Sequence, residues 1–198
     1  EPMSKVAIAV SCSGAEKVLY HRFRGEPFLA EALKGSRQLY EFFKGLVELA
    51  RQGYPRLICV KRGTKVAAAA VYTVPERLRA SQLIGLLKLL LRTAGLRVLF
   101  RSLRSARSFW AYAKALRGLE PSGHLLFIAS ALEGMGYGSL LLKLVERACA
   151  RAGCKWLVLE VHVGNPAVRF YLKRGYRPRG SVEWLGARYL LMAKPLHS

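Results

Sequence analysis

The chain has 198 residues, 52% of them hydrophobic and 23% charged, enough apolar material to bury a core within one domain and too much for a disordered tail. Lys and Arg number 33 against 12 acidic residues, a formal charge of +21 at pH 7, which favours anionic partners such as nucleic acid, anionic lipid or a phosphorylated cofactor. Every acidic residue is Glu; without Asp there is no Ser-His-Asp triad, no Asp-held Mg²⁺ and no EF-hand loop.

No repeat, low-complexity tract or Pro/Ser-rich linker divides the chain, and Met3, behind Glu1 and Pro2, is taken as the start of one domain over 3–198. Residues 6–10 are apolar but too few for a signal-peptide core, so they read as a first strand. A helix follows over 36–52, with Leu39, Phe42, Phe43, Leu46, Val47 and Leu49 at three- and four-residue spacings, and Gly53-Tyr54-Pro55 ends it. Residues 57–60 and 66–73 are β-rich runs around Lys61-Arg62-Gly63-Thr64-Lys65, a hairpin whose Gly supplies the turn.

The segment 76–120 differs in character, with ten Lys/Arg between Glu76 and Glu120 and no acidic residue between those two. It reads as a basic helical insertion. Residues 83–91 are nearly all apolar, but Lys88, Arg92 and Arg97 interrupt them short of the ~20 residues that a membrane span requires. A projection at about 100° per residue puts Leu99, Leu103, Ala106, Phe109, Trp110, Ala113 and Leu116 on one face, with Arg97, Arg101, Arg104, Arg107 and Lys114 largely opposite. That pattern predicts an apolar face docked on the core, or a lid facing an anion or a membrane.

Beyond it come a strand at 124–131, a helix at 139–152, a strand at 155–163 and a short helix at 167–174. Two last strands, 176–184 and 188–193, meet near Gly186. The fold class is mixed α/β of the α+β kind, a sheet of about six to seven strands flanked by helices. The four cysteines, Cys12, Cys59, Cys149 and Cys154, form no C-x-x-C pair and four His accompany them, so neither a zinc site nor a disulfide framework is signalled. Free buried thiols in a reducing cytoplasm are the expectation, with no metal. Asn165 is the sole Asn and Gln38, Gln52 and Gln82 the sole Gln, a scarcity of thermolabile amides that leans toward a thermophilic source.

Chemistry concentrates in Glu133-Gly134-Met135-Gly136-Tyr137-Gly138-Ser139, between a strand and a helix. Glycines let the backbone approach a ligand closely, and the helix N-terminus offers unpaired N–H groups to an anion. A P-loop is excluded because no Lys follows Gly138, and a Rossmann fingerprint because the glycines alternate with the wrong spacing.

About thirty residues later stands Asn165-Pro166-Ala167-Val168-Arg169-Phe170-Tyr171-Leu172-Lys173-Arg174-Gly175-Tyr176. Together, from about 124 to 176, the two motifs resemble the GNAT superfamily of N-acetyltransferases, whose signature is [Q/R]-x-x-G-x-[G/A] followed by an N-x-x-A-x-x-x-Y-x-x-x-G-[F/Y]-like helix. The resemblance implies a mostly antiparallel central sheet, with the insertion preceding the cofactor-binding strand. It places the pyrophosphate of acetyl-CoA on Glu133, Gly134, Met135, Gly136, Tyr137, Gly138 and Ser139. It gives the main chain at Ile128 and Ser130 to the pantetheine arm and acetyl carbonyl, and a CoA contact to Asn165. Two departures stand out: Glu133 replaces the usual Gln or Arg, and the Asn165 to Ala167 interval is one residue short.

Tyr171 reads from periodicity alone as a core aromatic; the resemblance makes it the proton donor to the departing thiolate. Glu160 occupies the position of the family's general base, or is a carboxylate with a structural partner. His162, two residues on and on the same sheet face, is an alternative base, with His124 ranked behind it. The implied function is direct transfer of an acetyl group to a primary amine on a small molecule, a protein N-terminus or a lysine, with no covalent intermediate. The charge suggests an acidic acceptor or one on an anionic scaffold. The alternative is a nucleic-acid- or membrane-surface-binding module on an acyltransferase scaffold, using 76–120 to hold RNA, DNA or anionic lipid.

Overall fold

A computed structural model describes residues 6–9, 12–33, 35–76, 79–96 and 106–196. Its elements run β1 (Val6–Ala9), α1 (Ala15–Phe23), α2 (Pro27–Ala32), α3 (Ser36–Arg51), β2 (Arg56–Arg62), β3 (Lys65–Thr73), α4 (Ala80–Thr93) and α5 (Ala106–Leu116). They continue as β4 (Ser122–Ser130), α6 (Tyr137–Arg151), β5 (Trp156–His162), α7 (Ala167–Leu172), β6 (Arg177–Trp184) and β7 (Ala187–Pro195). The seven strands form one sheet in the order β1-β2-β3-β4-β5-β7-β6, antiparallel throughout except for the parallel pair β4 and β5. The expected mixed, mostly antiparallel sheet flanked by helices is the one observed.

Alternation along the strands sends side chains to opposite faces, and helices cover both. On one face Ile58, Val60, Ala68, Leu157 and Leu159 meet Leu141, Leu142 and Val145 of α6 and Tyr171 of α7. Tyr176, fully buried, donates to Glu146 at 3.0 Å, and Lys194 holds the other oxygen of that carboxylate at 2.8 Å, tying α6 to β7. On the opposite face, α1, α2 and α3 cover the β2–β4 half through Leu19, Leu29, Phe43 and Leu46. There Phe127 of β4 stacks edge-on against Phe23 and Phe43, each at 5.2 Å between ring centres. The β5–β7 half of the same face is covered by α5, through Ala115, with Leu119 just beyond it, on Val158, Leu191 and Ala193.

Three features differ from the expectation. Two short helices, α1 and α2, occupy the stretch before residue 36; the cue for α2 was Pro27 at its first position with Glu26 capping Leu29 N at 2.8 Å. Cys12 and Cys59 form a disulfide with Cα atoms 6.5 Å apart, in place of two free thiols, while Cys149 and Cys154 are free and buried. Their 47-residue separation is why no local spacing announced it.

The third is the docked face of α5. Its inward residues are Ser108, Tyr112 and Ala115, whereas Phe109 and Trp110 are 46% and 72% exposed. Shape decides this: a Cβ on Gly180 of β6 would stand 3.0 Å from the Ala115 Cβ, so the helix approaches through small residues, and Ser108 Oγ donates to the Glu183 carbonyl. The part of the predicted amphipathic face on 97–105 lies outside the described residues. Among the described residues no helix is long and apolar enough to cross a membrane.

Candidate active site

The site begins where two strands part. Parallel pairing of β4 with β5 covers only Ser122 to Leu125 against Trp156 to Leu159, after which β4 runs on to Ser130 and β5 to His162 unpaired with each other. The register of β4 on β3 slips by one residue at Leu126, a bulge that bends β4 away. The β5-facing main chain of residues 126–130 is therefore left with no strand partner, so its polar groups are available to water or a ligand. A cavity of about 1070 Å³ fills the wedge and is lined by residues from both faces of the sheet.

On the α6–α7 face, Ile128, Ser130, Glu133, Gly138, Asn165 and Tyr171 all line this cavity. Gly134 and Gly136 adopt φ of +75° and +77°, which L side chains resist, so the turn depends on glycine there. Gly136 is the N-cap of α6 and no side chain caps that helix, so its first N–H groups stay available. The Tyr137 side chain is buried in the core, leaving only its main chain to the turn, and Met135 is 55% exposed. Glu133 is exposed at the turn.

Ser139 in the first turn of α6 accepts a hydrogen bond from Arg174, whose guanidinium lies 3.6 Å from the Phe170 ring centre. The sequence reading gave this cation beside the glycine turn no role. Asn165 Oδ1 accepts from Ala167 N at 2.9 Å, an Asx turn leading into α7 that leaves the amide nitrogen on the cavity side of the turn out of that bond. The Tyr171 ring packs edge-on to Phe170 and Tyr176, and burial raises its phenol pKa, holding the proton on at neutral pH.

Across the wedge, His124 and Glu160 meet because His124 pairs with Val158 and parallel register sets 158, 160 and 162 on its side of the sheet. His124 Nε2 is 3.8 Å from Glu160 Oε1, and His124 Nδ1 is 3.2 Å from the Tyr112 hydroxyl, brought in by α5. Burial, then the Glu160 charge and a hydrogen bond to Glu160, push the Tyr112 phenol up, so it stays protonated; its role toward His124 Nδ1 is set by the tautomer of that ring. Burial lowers the His124 pKa, against the opposing pull of Glu160, which keeps the ring neutral near pH 7.

His162 also lines the cavity, but its Nδ1 accepts the Gly164 N–H at 3.2 Å, which commits the one lone pair of the neutral ring. It stacks edge-on with Tyr189 at 5.5 Å. Tyr189 in turn donates to Glu26 and accepts Phe28 N at 3.1 Å, fixing the α1–α2 corner as the far wall. Sequence reasoning missed Tyr112, Glu26 and Tyr189, which act through partners 12 and 163 residues away. Among the described residues lining the cavity, Arg22 is the one Lys or Arg, against Glu26, Glu133 and Glu160. Burial, aided by Cys154, pushes the Cys149 thiol up to about 12, so it is no nucleophile at neutral pH.

Known proteins resemble this chain in sequence or in fold. An uncharacterized N-acetyltransferase of Methanocaldococcus jannaschii is 44% identical over 62 residues, a stretch covering 29% of this chain and 40% of that relative. In solved structures, one described as histone acetyltransferase HPA2 and related acetyltransferase from Corynebacterium glutamicum superposes with a TM-score of 0.67 at 19% identity, over 98% of this chain and 97% of its own. A putative acetyltransferase of the GNAT family from Desulfovibrio desulfuricans gives 0.61 at 13% identity, covering 98% of this chain and 100% of that one. Ard1 from Thermoplasma volcanium gives 0.58 at 14%, covering 98% and 99%. These likenesses are of fold. Residues 20–176 match the model of the acetyltransferase (GNAT) family, and the chain belongs to that family of acyltransferases.

Proposed function

We propose that the chain, as one acyltransferase domain including 76–120, transfers an acetyl group from acetyl-CoA directly to a primary amine. The observation that carries this reading is the wedge between β4 and β5, with an uncapped glycine turn at one end and Tyr171 on one wall. Main-chain N–H groups from Gly134 to Ser139 would hold the diphosphate, with Arg174 offsetting the charge of Glu133. The free edge of β4 at Ile128 and Ser130 would pair with the pantetheine arm, and Asn165 would add an amide contact. Acetyl-CoA supplies the activated thioester; everything else is done by the chain.

Glu160 takes a proton from the acceptor ammonium or the attacking amine, directly or through water, and His124 with Tyr112 holds that carboxylate in place. As the C–N bond forms and the C–S bond breaks, Tyr171 gives its proton to the departing thiolate. That thiolate develops in the same desolvated space that raises the phenol pKa, so its own basicity rises with it. The acceptor is a small molecule, a protein N-terminus or a lysine. Among the described residues lining the cavity away from the glycine turn, Glu26 and Glu160 stand against Arg22, which favours an amine on a neutral or cationic carrier over the acidic acceptor suggested by net charge.

The test is release of the CoA thiol on mixing acetyl-CoA with a panel of amines and peptide N-termini, alongside thermal unfolding with and without acetyl-CoA. Stabilisation by acetyl-CoA together with amine-dependent release supports the reading; neither response, across the panel, rejects it.

A further inference from the structure

Among the described residues, helix α4 packs on the molecule through its face on α3. A Cβ on Gly45 of α3 would stand 2.4 Å from Leu89 Cδ1, and a Cβ on Gly85 would stand 2.7 Å from Leu49 Cδ2, so each helix seats a leucine in a glycine notch of the other. That interlock sets the rotation of α4 and leaves its outer arc facing away from the core. On this arc Leu83, Ile84 and Leu87 are 52%, 51% and 48% exposed, and Leu90 and Leu91 continue the row at 39% and 37%. Singly exposed leucines are ordinary; five along one side of a helix are a surface.

The edge of the row is cationic. At about 100° per residue, Lys88 and Arg92 follow directly beside Ile84 and Leu91, with Arg92 78% exposed and 3.8 Å from Glu41. From residue 77 to 119 the chain has no acidic residue. At 14 residues α4 is about 21 Å long, too short to span a bilayer and long enough to lie along one.

We propose that the outer face of α4 docks on an anionic lipid bilayer, with Leu83, Ile84 and Leu87 in the acyl boundary and Lys88 and Arg92 at the headgroups. Charge complementarity selects this occupant. A second copy would bring two chains of +21 together, each through its most basic segment. RNA would use the cations but finds no stacking surface in aliphatic side chains. The inner end of the row, Leu90 and Leu91, also lines the catalytic cavity, so the bilayer face adjoins the acceptor side. The proposal does not rest on the acyl-transfer reading.

The test is vesicle flotation of the full chain with phosphatidylcholine alone and with roughly one third phosphatidylglycerol, for the native chain, the double variant Ile84→Glu/Leu87→Glu and Lys88→Gln. The altered residues lie outside the cavity, and unfolding midpoints confirm that the variants fold. The native chain floats with the anionic vesicles only; the double variant loses about tenfold or more of that partitioning, and Lys88→Gln about fivefold. No flotation of the native chain overturns the proposal. So does equal flotation with neutral vesicles, or equal flotation of the double variant, which would assign binding to diffuse charge. A native dimer in light scattering that Ile84→Glu/Leu87→Glu converts to monomer overturns it in favour of self-association, and loss of duplex-RNA binding by that variant does so in favour of RNA.

Discussion

The two sides of the parted strands are built by different means. The α6–α7 side is assembled from one continuous stretch, in which a strand, a glycine turn, a helix, a strand and a short helix follow one another from β4 to Tyr171. The opposite side gathers Glu26 from the α1–α2 corner, Tyr112 from α5, His124 from β4, Glu160 from β5 and Tyr189 from β7 around one cavity. A side made of neighbours in sequence carries fixed backbone geometry, which suits an invariant cosubstrate. A side made of distant contributors can change one wall at a time, which suits a variable acceptor.

That contrast can be broken by substitution, beginning with the largest effect. Tyr171→Phe should lower kcat about 100-fold or more while leaving the KM for acetyl-CoA within about twofold, in steady-state assays; equal kcat would return Tyr171 to the core-aromatic reading. On the acceptor side, Cys12→Ser should cost about 2–4 kcal/mol in urea unfolding, because the disulfide ties the approach to α1 onto β2. A loss below about 1 kcal/mol would show that packing alone holds that wall. Gly136→Ala should raise the acetyl-CoA Kd about tenfold by calorimetry, since its positive φ costs an L residue about 1–2 kcal/mol.

A smaller effect separates the sides by pH. The folded His124 pKa lies below its ordinary value of 6.5, so below about pH 6.5 the unfolded chain binds the extra proton and stability falls, levelling off once the folded ring also protonates. Protonated His124 also pairs with Glu160, so under the proposed role of that carboxylate as base, activity falls on the same side. His124→Gln should flatten the stability decline between pH 7 and 5, measured as the urea midpoint; an unchanged decline would place the proton elsewhere. Smallest of all, Arg174→Gln should weaken acetyl-CoA binding about three- to fivefold, the scale of one partly exposed charge.

Legibility in sequence followed the same division. The strand at 124–131, the glycine turn and the helix after it could be read because their cues are local: β-rich runs, Gly134, Gly136 and Gly138, and the Asn165 to Gly175 spacing. Six to seven strands were expected and seven are present. The wedge itself left no trace, because it depends on where the β4–β5 register stops and on a bulge at Leu126. His124 was ranked behind His162 because neither hydrogen bond is visible in sequence; one engages Gly164 and the other Tyr112. For α5, hydrophobicity pointed Phe109 and Trp110 inward, while the close approach at Gly180 admitted Ala115 instead. Net charge suggested an acidic acceptor, while the described residues lining the cavity include three Glu and one Arg; a sum over the surface says nothing about the charge of one cleft.

The most direct measurement is a crystal structure of the chain with a non-hydrolysable acetyl-CoA analogue. The account predicts the diphosphate on the amides of Gly134 to Ser139, the pantetheine along the free edge of β4, and the sulfur position within about 3.5 Å of the Tyr171 hydroxyl. A diphosphate bound away from the glycine turn, or a phenol directed away from the sulfur, would contradict it.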